Sequence, residues 1–148
     1  MSTDERVTKS LITTLEDGQR GFASAADRLT DSNQPGLAAE FMRFSEQRAR
    51  FASELRTMAA SYGDDVDPGG SMAAVVHRGW MAVKDALSGS DASGVLDAAE
   101  QGEDHAVAEY RQGLTEDLSG GLRSVVERQY TEVQEAHRLV RSLRDQAA

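Results

Sequence analysis

The chain contains no cysteine, which excludes a disulfide framework, a thiolate nucleophile and a cysteine-based metal site. No apolar run approaches the roughly 18 residues that a membrane-spanning helix requires. A basic stripe is also absent, because fourteen arginines and two lysines alternate with acidic residues, and the net charge is -9. Such a surface would repel phosphate backbones and anionic lipids, so we expect neither nucleic acid nor a membrane as a partner.

The size and composition of the chain suit one domain with one core, since 39% of its 148 residues are apolar. The N-terminal segment 1–9 is polar and passes directly into an amphipathic pattern, which is unlike a signal peptide. We therefore expect a single domain over residues 1–148 and a cytoplasmic location.

Apolar residues recur three or four positions apart in four long stretches, and this spacing places them on one face of an α-helix. Together with the turn-forming segments between them, the stretches predict long helices over about 3–30, 35–62, 92–118 and 121–146. The connections within the first pair and within the last pair are short. Each pair should therefore consist of antiparallel neighbours.

The connection between the second and third long helices is about thirty residues long and carries its own helical pattern, which predicts a shorter helix over 71–88. At 1.5 Å per residue this helix would cover roughly 25 Å, which is most of the length of a bundle. Such a crossover lets the second and third helices run parallel, as they do in ferritin-like proteins. The sequence therefore predicts an all-α fold, a ferritin-like four-helix bundle with a long crossover connection that contains an additional short helix.

Four segments carry a resemblance that covers nearly the whole chain: EDGQRGF at 16–22, HRGW at 77–80, QGED at 101–104 and LRD at 143–145. They resemble a bacterial family of small ferritin-like four-helix proteins described as a domain of unknown function. HRGW together with GED is the specific pair among them. The resemblance implies the bundle fold and a bacterial cytoplasmic setting, sometimes linked to stress physiology. It implies no reaction.

Polar residues stand near the middle of each apolar stripe. Arg48, Glu103 and His137 occupy core positions, and Gln19 lies at the edge of the first stripe. A buried arginine must be paired and hydrogen-bonded, and Glu103 on a facing helix at a similar height is the expected partner. Gln19, Gln134 and His137 would supply the remaining donors and acceptors, which predicts a core polar network of these five residues.

The same residues fit a two-metal centre poorly. Ferritin-type sites use one Glu on each of two helices and a Glu-x-x-His on each of the other two, and here Gln134 stands where His137 would need a glutamate. Arg48 would put a permanent positive charge where the cations belong. We therefore predict a non-catalytic bundle without a cofactor. The alternatives are a metal-binding protein or metal-dependent oxidase with a reduced site of Glu100, Glu103 and His137 for Fe, Mn or Zn, and an Arg48 that bends out of the core.

The crossover segment holds the only tryptophan. Trp80 is expected to pack the crossover helix on the bundle, while His77 and Arg78, on the same helix, face its rim, where a binding groove is the alternative. A rigid bundle without catalytic residues suits an interaction role. We expect a homo-oligomer, with a dimer as its simplest form, and a further protein partner that the sequence does not identify.

Overall fold

A computed structural model describes residues 2–63 and 92–147 of the chain. These residues form four helices and the turns between them: α1 (Thr3–Asp31), α2 (Pro35–Ser61), α3 (Ala92–Leu114) and α4 (Gly120–Ala147). The described part of the chain contains no strand, and the fold is an all-α bundle. The predicted helix over 71–88 lies outside the described residues.

Local signals place both ends of α1. The Ser2 side chain caps the helix by accepting a hydrogen bond from the Glu5 amide at 3.0 Å. At the other end Asn33 adopts a left-handed conformation with φ of 61°, and the Gln34 amide reaches back to the Leu29 carbonyl at 2.8 Å. This is a Schellman-type ending, in which asparagine takes the position that usually holds glycine. Only three residues separate α1 from α2, so the two helices are antiparallel.

Side-chain contacts fix the direction of the other helices. Ser10 near the start of α1 donates a hydrogen bond to Glu109 near the end of α3, at 3.1 Å. The helices α1 and α3 are therefore antiparallel, and α2 and α3, both antiparallel to α1, run parallel to each other. The five-residue connection after α3 returns the chain as α4, which runs antiparallel to α3.

Two apolar clusters fill the bundle. The first, called here the Phe22 cluster, occupies the end where α1 finishes and α3 begins, and its largest members are Phe22, Leu29, Phe41, Phe44, Leu96 and Val140. The second, called the Tyr110 cluster, occupies the other end, and its largest members are Leu11, Leu15, Phe51, Leu55, Tyr110 and Leu122. Burial of these side chains is the main source of the bundle's stability.

The turn between α3 and α4 differs in detail from the expectation. The helix α3 ends at Leu114 rather than near 118, because Thr115 and Glu116 bond to carbonyls three residues earlier. Gly120 and Gly121 open α4 instead of forming the reversal. A Cβ on Gly121 would lie 2.9 Å from the Tyr62 hydroxyl, so the glycine leaves room for the Tyr62 side chain against the start of α4.

None of the described helices combines the length and the apolar character that crossing a membrane demands.

Candidate functional site

Arg48 and Glu103 form a buried ion pair in the middle of the bundle. Arg48 lies on α2, Glu103 lies on α3, and their side chains are 1% and 0% exposed. Nη1 of Arg48 donates to Oε1 of Glu103 at 2.5 Å, and Nη2 donates to Oε2 at 2.7 Å. Two parallel charge-assisted hydrogen bonds of this kind are the strongest geometry available to an arginine and a carboxylate.

The pair lies at the boundary of the two apolar clusters. On α2, Arg48 falls between Phe44 of the Phe22 cluster and Phe51 of the Tyr110 cluster. Glu103 falls between Ala99 and Ala106, which belong to the same two clusters respectively. The ion pair is thus a polar layer with apolar side chains on both sides.

Arg48 makes further contacts besides those with Glu103. Its Nε donates to the side-chain oxygen of Gln47 at 3.2 Å, and its Cζ lies 5.2 Å from the centre of the Phe22 ring, in cation-π range. The stem of Arg48 crosses Gly18 on α1, where an added Cβ would meet Arg48 Cγ at 3.5 Å. A glycine, which has no side chain, therefore lies directly against the arginine.

The other three residues of the expected network are not bonded to this pair within the described residues. Gln19 is half-buried, and its backbone carbonyl accepts from Ser45 Oγ at 2.8 Å. Gln134 is also half-buried. His137, with 13% of its side chain exposed, turns toward α3 and contacts Asp104, its Nε2 lying 2.5 Å from Oδ1. The structure brings together two of the five predicted residues.

A second group of polar side chains lies at the rim between α3 and α4. Glu100, Asp104 and His137 each offer a ligand atom, and these atoms lie within 4.8 Å of one another. Asp104 takes the place that the sequence hypothesis gave to Glu103, because both oxygens of Glu103 are bound by Arg48. Asp104 follows Glu100 by one helical turn on the same face of α3, a spacing that the sequence already contained.

A buried polar chain inside the Tyr110 cluster was not anticipated. The Tyr110 hydroxyl donates to Oε1 of Gln129 at 2.7 Å, and Nε2 of Gln129 donates to the Phe51 carbonyl at 3.3 Å and to Oε1 of Glu54 at 2.8 Å. Glu54 in turn forms a salt bridge with Arg128. Gln129 is 0% exposed, so its amide is the link between the core and a surface ion pair.

This chain of contacts shifts two pKa values. Burial raises the pKa of the Tyr110 phenol above its usual value of 10, and the negative charges of Glu54 and Glu103 act in the same direction. The hydrogen bond from Arg128 lowers the pKa of Glu54 below 4.5, and the bond from Gln129 adds to this effect. At the core end of this series of contacts Tyr110 is held neutral, and at the surface end Glu54 is held charged.

The comparison with protein families does not add a known activity. A family model described as a domain of unknown function (DUF2383) matches residues 5–116, which is most of the chain. The chain belongs to this family. No curated protein matches it.

The DUF2383 match contains the charged layer but only part of the rim. Arg48, Glu103, Glu100 and Asp104 all fall within residues 5–116, whereas His137 on α4 lies beyond it. The three predicted crossover residues, His77, Arg78 and Trp80, are inside the match and outside the described residues.

Proposed function

We propose that this DUF2383 protein is a non-catalytic ferritin-like bundle in which the Arg48–Glu103 pair occupies the place where ferritin-like proteins hold metal. The bundle serves as a rigid scaffold that associates with itself and with another protein. Its bacterial, cytoplasmic and stress-associated setting is supported by the sequence resemblance.

The direction of the helices supports the ferritin-like part of the proposal. Helices α2 and α3 run parallel, and residues 62–91 connect the end of one to the start of the other. A simple up-down-up-down bundle would need only a short turn there, while ferritin-like bundles use one long crossover.

The bidentate Arg48–Glu103 contact is the observation that carries the proposal. Both oxygens of Glu103 accept from the guanidinium, so the carboxylate that best fits a metal ligand has no free oxygen. A guanidinium stays protonated, and it places a positive charge at the centre of the bundle. The polar side chains buried in the described residues include Asp17, Glu100 and Glu103 but no histidine, whereas a ferritin-type site uses four carboxylates and two histidines.

Ferrous iron oxidation tests the proposal. The parent is compared with a double variant, Arg48→Met with Glu103→Leu, which removes the candidate ligand without leaving an unpaired buried charge. We expect both proteins to oxidise Fe(II) no faster than buffer. Oxidation well above buffer that disappears in the double variant would overturn the proposal and make Glu103 part of a metal centre.

The self-association in this proposal is supported by an apolar position on α4. Leu139 is 39% exposed and borders a groove between α2 and α4, whose other lining residues are Phe44, Gln47, Glu132, Glu135 and Ala136. A second copy of the chain can cover this position. Light scattering should give a dimer mass for the parent and a monomer mass for Leu139→Glu, with Met42→Glu as a control at another exposed apolar position. A monomeric parent would contradict self-association.

A further inference from the structure

The rim cluster between α3 and α4 combines three donor groups that transition metals accept. Glu100 and Asp104 are one helical turn apart on α3, and His137 faces them from α4. Their ligand atoms lie within 4.8 Å of one another, and Nε2 of His137 is 2.5 Å from Oδ1 of Asp104. Zinc binds imidazole nitrogens and carboxylate oxygens, and a site with three protein ligands leaves a fourth position for water.

Glu100 differs from the other two residues because its carboxylate is buried and its charge is neutralised by arginines at the surface. The residue is 6% exposed, and Nε of Arg141 donates to its Oε1 at 3.1 Å. Arg144 Nη1 forms an ion pair with Oε2, yet within the described residues this covered oxygen accepts no hydrogen bond. Oε2 is therefore neutralised by charge and makes no directed hydrogen bond to the described part of the chain.

Arg141 and Arg144 are more exposed to solvent than Arg48, and this exposure determines whether a ligand can displace them. Their side chains are 55% and 36% exposed, whereas Arg48 is 1% exposed. A partly exposed arginine side chain is long enough to turn its guanidinium out into water, while a divalent cation neutralises the buried carboxylate in its place. Arg141 and Arg144 therefore supply positive charge to Glu100 that a cation can replace.

We propose that Glu100, Asp104 and His137 bind one divalent transition-metal cation of the zinc class, which displaces Arg141 and Arg144 from Glu100. This rim site is separate from the Arg48–Glu103 layer and does not depend on the proposed scaffold role. The buried Glu100 anchors the cation from α3, Asp104 binds beside it, and His137 ties the cation to α4. The metal would thus cross-link the third and fourth helices.

The test is a titration of chelator-washed full-length protein with Zn(II) in competition with a chromophoric chelator, repeated with Co(II) to observe its ligand-field absorption. We expect one equivalent per chain. Asp104→Asn and His137→Gln should each weaken binding by at least about tenfold, since even the loss of an outer-shell partner costs about 10- to 100-fold.

Two control variants carry the same types of substitution at residues outside the cluster. Asp117→Asn removes an exposed carboxylate in the turn between α3 and α4, and His105→Gln removes a histidine of α3 that is not one of the three proposed ligands. Both should retain one equivalent with unchanged affinity. Equal losses in the controls and the cluster variants would show that binding is diffuse, and the proposal would be wrong.

Removing the competing arginines gives a change of opposite sign. The variant with Arg141→Gln and Arg144→Gln leaves Glu100 without its two cations, so Zn(II) binding should tighten by at least about tenfold, or 1.4 kcal/mol. A cluster that serves only as a structural ion-pair network would bind no zinc in this variant or in the parent, and that result would overturn the proposal. Oxidation that depends on Glu103 would instead contradict the proposed scaffold function, so the two failures are distinguishable.

Discussion

The guanidinium of Arg48 is held by both oxygens of Glu103, at 2.5 and 2.7 Å, with apolar clusters on either side of the pair. In such an apolar environment, each buried charge needs the other as its partner. The cost of taking both out of water is offset only while the pair is intact.

Glu103→Ala should destabilise the fold by about 3 to 5 kcal/mol, because it leaves the Arg48 charge buried without a partner. Urea unfolding followed by circular dichroism measures this difference. The double variant Arg48→Met with Glu103→Leu serves as the control and should recover most of the loss, since two apolar side chains fit between the clusters. A single variant as stable as the parent would show that the pair is not buried in solution.

Gly18→Ala should stabilise the protein by up to about 1 kcal/mol. Alanine is favoured over glycine inside a helix by this amount, and the new Cβ would meet Arg48 Cγ at 3.5 Å, an ordinary contact distance. Gly113→Ala is the matched control in α3, because there the Cβ would lie only 3.0 Å from Val7 Cγ1. Thermal unfolding should rank Gly18→Ala above the parent and above Gly113→Ala; the reverse order would mean that the arginine stem does not lie as described.

Tyr110 should remain protonated as long as the protein is folded. Its folded pKa is raised, so its contribution to stability is present below the unfolded pKa near 10 and is lost as the pH rises above that value. The chain has three tyrosines, and titration of tyrosinate absorbance should therefore show the same native amplitude in the parent and in Tyr110→Phe. The two proteins should differ only after alkaline unfolding. A smaller native amplitude in the variant would show that Tyr110 is open to solvent.

The same Tyr110→Phe variant should lose about 1 to 3 kcal/mol at neutral pH, because Oε1 of the buried Gln129 loses its donor. Tyr130→Phe is the control for the loss of a hydroxyl, since Tyr130 stacks on Tyr110 but is only half-buried. Denaturant unfolding separates the two variants. Equal losses would mean that the Tyr110 to Gln129 hydrogen bond contributes nothing particular.

Glu54→Gln should flatten the acid limb of the stability curve. The pKa of Glu54 is lowered in the folded state, so its stabilising contribution is present above the unfolded value near 4.5 and is lost as the pH falls through the folded value. Midpoints of thermal unfolding measured from neutral to acid pH should fall less steeply in the variant. Arg128→Gln should reproduce this change because it removes the same ion pair. Two parallel curves for the parent and Glu54→Gln would contradict the shift.

The fourth helix carries two stripes that fit helical spacing equally well in the sequence. A stripe through Leu122, Val126, Tyr130, Val133 and His137 satisfies helical spacing, and so does one through Leu122, Val126, Gln129, Val133 and Ala136. In the structure the second set is buried, and Tyr130 and His137 lie at its edge. The two stripes differ at two places, where the second stripe uses the preceding residue. This difference corresponds to a small rotation of the helix about its axis, which apolar spacing alone does not resolve. Only the neighbours of α4 select between them.

Asp17 shows the same limit on α1. Its position in the sequence lies off the apolar stripe of this helix, yet it is 1% exposed. Burial extends around much of this helix near its middle, so hydropathy alone did not indicate which polar side chains enter the protein.

The amino-acid pattern was enough to predict the helical class, the approximate helix ends and the presence of an arginine and a glutamate in core positions. Those properties depend on local spacing, on capping and turn residues, and on the cost of burying a charge without a partner. Which side chains meet depends on how the helices pack: Arg48 binds both oxygens of Glu103, and His137 contacts Asp104. The reason is that a pairing between helices depends on the rotation of each helix about its axis, and that rotation is set by packing against all neighbours at once.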